Sequence, residues 1–98
     1  MTPEEEQFQR FLLAFTDVKR AYQLAFGAGP GEAVLIDLAP FCRANETCVV
    51  SGDRDRTYVA EGRREVWLRI QDYLKLTPEE LVRKYTKTVQ GVRHAESE

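Results

Sequence analysis

A chain of 98 residues has room for one domain and one core, and its 43% apolar and 10% aromatic content is that of a folded protein, not a disordered one. At this size only about 60–65% of the unfolded surface is buried on folding, which favours a protein that works through partners over an enzyme built around a deep pocket. A net charge of −2, from 14 Lys plus Arg against 16 Asp plus Glu, excludes attachment to nucleic acid or anionic membrane through bulk charge.

The first predicted helix spans roughly residues 3–26. Thr2-Pro3-Glu4-Glu5 supplies its start: Thr2 caps the first free amides, Pro3 sits where an N–H would be unpaired, and Glu5 can close a capping box. Phe8, Phe11, Leu12, Phe15, Val18, Tyr22 and Ala25 recur at three- and four-residue spacing and predict one buried stripe. Gly27-Ala28-Gly29-Pro30-Gly31 should end this helix, because glycine accepts the left-handed conformation of a C-cap and proline resumes a new element.

Residues 32–39 could form a short buried strand on β-branched content. Pro30 and Glu32 at the start, with Ala33, Leu35, Leu38 and Ala39 following, favour a second helix that Pro40 ends or kinks before Phe41 and Cys42. Residues 43–53 read as a loop with one extended turn at Cys48-Val49-Val50. Asp53 is placed to cap a third helix running to about Lys75, whose buried side is expected to hold Val59, Gly62, Val66, Ile70, Tyr73 and Leu74. Glycine inside a helix costs about 0.5–1 kcal/mol relative to alanine, so Gly62 predicts a second backbone passing close by.

Thr77-Pro78-Glu79-Glu80 repeats the opening motif and predicts a fourth helix after a two-residue turn, with Leu81, Val82, Tyr85 and Val89 as its apolar positions and Gly91 as its end. The expected organisation is all-α: one domain over 1–90, of three main helices and a shorter fourth, with a frayed tail at 91–98.

Charge is distributed unevenly. Residues 51–98 carry 10 basic and 9 acidic side chains, against 4 and 7 in residues 1–50, so an anion-facing surface belongs in the C-terminal half. There Arg83, Lys84 and Lys87 are a candidate anion site, although cations near a helix C-terminus also suit its dipole. No run approaches the ~18 apolar residues of a membrane span, and the acidic Glu4-Glu5-Glu6 start is unlike a secretory signal. Cytoplasmic synthesis and free thiols at Cys42 and Cys48 are therefore expected, with no membrane partner.

Catalysis finds little support. Serine occurs only at positions 51 and 97, the single His94 sits in the tail, and the glycine-rich turn lacks the Lys-Ser/Thr of a phosphate loop. Two cysteines with five residues between them do not make a zinc site, so no enzyme activity, metal or cofactor is expected. The densest pattern is Glu61-Gly62-Arg63-Arg64-Glu65-Val66-Trp67-Leu68-Arg69-Ile70. Glu61–Arg64 and Glu65–Arg69 spacings account for some of it as intrahelical pairs. Arg63 has its acidic neighbours badly placed, and Trp67 lies on the flank of the predicted buried stripe beside it, which is the composition of an interface anchor. Arg63, Trp67 and Arg69 are thus candidate protein-interaction residues. Arg54 and Arg56, at a helix start whose dipole disfavours cations, are further candidates.

This core motif, with the aromatic first helix ending near Phe26, the Gly-x-x-Val-Leu-x-Asp-Leu-Ala run at residues 31–39 and the Phe41-Cys42 step, resembles a family of small tailed-bacteriophage proteins named after a short-tailed Bordetella phage. The resemblance covers roughly residues 8–76, with Pro40 a departure from it. It implies a place among virion structural and packaging genes, and no catalytic residues. The expected function is that of a non-enzymatic virion or assembly protein, located in the virion and in the host cytoplasm during assembly. It would dock its third helix on a portal, capsid or tail-junction component, in copies repeated by that partner's symmetry. The alternatives are a small regulatory or anti-host factor and a packaging-associated DNA binder, whose phosphate contacts would make its affinity strongly salt-dependent.

Overall fold

The computed structural model describes residues 1–86, and everything below concerns those residues. Helix α1 is Pro3–Phe26, α2 is Pro30–Phe41 and α3 is Arg54–Lys75, followed by α4 at residues 78–86. No strand occurs among the described residues, and the molecule is a small all-α domain. The expected tail and the positions Lys87, Val89, Gly91 and His94 lie outside the described residues.

Local chemistry explains each boundary. Thr2 Oγ1 accepts the Glu5 N–H at 3.1 Å, and Asp53 Oδ1 accepts that of Arg56 at 3.0 Å. At α4 the capping box is complete, because Thr77 Oγ1 accepts from the Glu80 N–H at 3.2 Å while Glu80 Oε1 accepts from the Thr77 N–H at 3.3 Å. The left-handed glycine expected after α1 is Gly29 (φ 63°), while Gly27 stays in the right-handed region at φ −73°. Gly31 is the tightest point of this turn: a Cβ there would overlap the carbonyl oxygen of Ala25 and stand 2.6 Å from the Cα of Phe26. Helix α2 runs through Pro40 to Phe41 instead of stopping at the proline. Pro40 forfeits only one backbone bond in the last turns, on an exposed side shared with Ile36.

The helices pack in a flat arrangement with extents of 53 × 45 × 14 Å. Its radius of gyration is 16.6 Å, where a compact chain of this length has about 13 Å. The sealed core is correspondingly small. It comprises Cys42, Cys48, Ala60, Ile70, Tyr73, Leu81 and Val82, with only Leu81 fully enclosed. The aromatic stripe of α1 is present but not buried, since Leu12, Phe15 and Tyr22 are half-covered and Phe8, Phe11 and Val18 remain exposed.

One correction bears directly on the site. The buried side of α3 is Ala60, Ile70 and Tyr73, whereas Val59 and Val66 are 54% and 60% exposed and a Cβ on Gly62 would meet nothing within 4 Å. The valines and the glycine face outward because α2 and the 43–53 loop reach α3 on its Ala60 side.

An aromatic stack ties α1, α3 and α4 together. Tyr22 and Tyr73 lie 4.5 Å apart at 6°, and Phe15 and Tyr85 each approach Tyr73 to about 6 Å. Lys19 Nζ donates to the carbonyls of Tyr73 and Leu74 at 3.1 and 3.5 Å, a cation on the negative end of α3.

Candidate functional site

Three arginines, one from the 43–53 loop and two from α3, converge beside the first half of α3. Arg43, Arg56 and Arg63 line an open groove of about 360 Å³ with Asp55, over a floor of Val50, Val59 and Ala60. The loop that forms one wall is held by hydrogen bonds between side chains and its backbone. Arg43, left-handed at φ 52°, donates to the Thr47 carbonyl at 3.0 Å, Arg64 donates to that of Glu46 at 3.2 Å, and Thr57 Oγ1 accepts the Val50 N–H at 2.9 Å. Thr57 Oγ1 also donates to the Asp53 carbonyl at 3.0 Å, so the loop's end and the start of α3 share one anchor.

The guanidinium of Arg63 lies 4.4 Å from the centre of the Phe41 ring, which is itself 56% exposed. Stacking occupies one face of the guanidinium and leaves its in-plane N–H donors for a carboxylate. Arg56 pairs with Asp53 at 3.3 Å, but its side chain is 79% exposed, so the pair contributes little and yields readily to a competitor.

The sequence-predicted residues separate into three places. Arg56 and Arg63 meet in the groove. Trp67 is half-buried and falls, by helical pitch, between the buried Ala60 and Ile70, on the covered side of α3 and not on a free flank. Arg69 turns the other way, stacking at 4.7 Å on Tyr85 and 5.7 Å on Tyr73, and Arg54 is exposed at the first position of α3. Sequence reading missed Arg43, whose approach depends on a left-handed loop residue that no periodicity signals, and Phe41, whose role as a ring under Arg63 depends on where α2 ends.

Of the candidate anion site, Arg83 is exposed and Lys84 Nζ meets Asp72 Oδ2 at 2.6 Å, with Glu80 lining the same surface depression; Lys87 lies outside the described residues. Asp72 also accepts the Tyr85 hydroxyl at 2.9 Å. Burial, then the hydrogen bond and charge of Asp72, push the Tyr85 phenol up to about 12, against a smaller lowering by Arg69. Burial likewise raises Tyr73, opposed by Arg69. Among the described residues no group of His, Cys, Asp and Glu is placed to share a metal ion, and no helix is long and apolar enough to cross a membrane.

Residues 22–85, from the last turns of α1 through Tyr85 of α4, match the family described as Bbp19-like phage protein. The chain belongs to this family. The match begins later than Phe8 and takes in the fourth helix, so the family's shared unit includes the tyrosine stack and the Leu81–Val82 core as well as the groove. No curated protein and no solved structure matches the chain. What this Bbp19-like protein does therefore rests on its own geometry and on its phage origin.

Proposed function

We propose that this Bbp19-like protein is a non-enzymatic virion-associated or assembly factor that docks on a larger phage structural protein, with portal, capsid and tail-junction components as the candidates. The carrying observation is the groove beside α3, where Arg43, Arg56 and Arg63 rim an apolar floor next to the exposed Phe41. Such a site suits a partner segment that pairs one or two carboxylates with an apolar side chain, since arginine forks hold carboxylates and the floor takes the apolar group. The flat arrangement supports the same reading, because it leaves apolar surface that the chain does not cover for itself.

The test is quantitative mass spectrometry of gradient-purified particles of a phage that encodes the chain. Recovery at a fixed ratio to one structural protein is expected. Its absence from particles and from assembly intermediates would overturn the proposal and favour the regulatory or anti-host alternative. The DNA-binding alternative predicts duplex affinity that collapses between low and moderate salt.

A further inference from the structure

We infer that a second copy of this chain covers the outward stripe of α3, the two α3 helices crossing antiparallel about a twofold axis at Gly62. The stripe is apolar and uncovered: Val59 and Val66 are 54% and 60% exposed, and both lie within about 60° of Gly62 on the helix. Gly62 faces open space, so within the described residues it gains no close packing to offset its cost to helix stability. At a helix crossing its missing side chain lets another backbone approach, and the sequence expectation of a neighbouring backbone is then met from outside the chain.

Charge selects the occupant. Asp55 and Arg69 stand seven residues before and after Gly62 on the same side of α3, each roughly 10 Å along the axis from it. In an antiparallel pair centred on Gly62, Asp55 of each copy faces Arg69 of the other, Val66 faces Tyr58, and Val59 faces the stem of Glu65. Asp55 has no ion-pair partner among the described residues, while Arg69 stacks on Tyr85 and hydrogen-bonds Tyr73, using only part of a guanidinium that carries five N–H donors. A self-complementary patch of this kind is what a twofold interface requires.

Asp55 and Val59 also line the groove beside α3, so a second copy and a virion protein would compete for them, and the test uses the purified full chain alone. Sedimentation equilibrium should show a dimer. Asp55→Arg should weaken it at least tenfold, and adding Arg69→Asp should restore most of that loss. Because Arg69 also supports the tyrosine stack, a second measurement is Gly62→Cys under mild oxidation. A residue on the axis links to its own copy, so a covalent dimer should form, whereas Leu68→Cys, exposed but about 120° away on the helix, should give little. A monomer at all concentrations, or equal crosslinking through positions 62 and 68, would overturn the proposal.

Discussion

At the residue scale, Gly31 and Tyr85 show how single atoms constrain this chain. Gly31 is required by contact rather than by φ, since the last turn of α1 occupies the space of a Cβ. Gly31→Ala should therefore cost at least about 2 kcal/mol in urea unfolding, at the upper part of the range for overpacked sites. Tyr85 makes a pH prediction. Its phenol is raised to about 12 in the folded chain from an ordinary 10, so its contribution is fully present below pH 10 and is lost as pH climbs through 12. Unfolding monitored by circular dichroism should show stability falling over pH 10–12, and Tyr85→Phe should flatten that slope. Tyr73, raised in the same direction, accounts for what remains.

At the element scale, the caps were legible in the sequence because they depend on near neighbours. Both Thr-Pro-Glu-Glu motifs and Asp53 start helices where their side chains can reach amides three residues on. Thr77→Ala should destabilise by about 1 kcal/mol, as Thr77 seats the helix that carries Leu81 and Val82. Lys19→Met should cost a similar amount, about 1 kcal/mol, by removing the cation from the carbonyls of Tyr73 and Leu74. Thermal unfolding measures both. Ile70 and Tyr73 were read correctly as buried, but which side the first half of α3 turns inward was not legible. Val59, Gly62 and Val66 satisfy the helical period as well as Ala60, Trp67 and Ile70 do, and only the path of the 43–53 loop decides between them. That path turns on the left-handed Arg43 and on Thr57 bonding to Val50, long-range consequences that a periodic pattern does not contain.

At the scale of the whole molecule, composition promised a core that a flat arrangement of helices does not build. Helix α2 makes the point: apart from Glu32 and Asp37 it is apolar all round, a pattern that belongs in an interior, yet Gly31 is its only buried residue. The candidate site was half legible in the same sense. Arg56 and Arg63 were singled out and meet in the groove, Trp67 and Arg69 were singled out and point elsewhere, and Arg43 and Phe41 come from an approach of segments far apart in sequence. A flat molecule with an arginine-rimmed groove on α3 is, in this account, a piece that is completed by its partner. The direct test is capture from phage-infected cells with tagged wild-type chain and with the folded Arg56→Glu/Arg63→Glu variant. The account predicts that one identified phage structural protein binds the wild type and is reduced at least tenfold on the variant; equal recovery of that protein by both would contradict it.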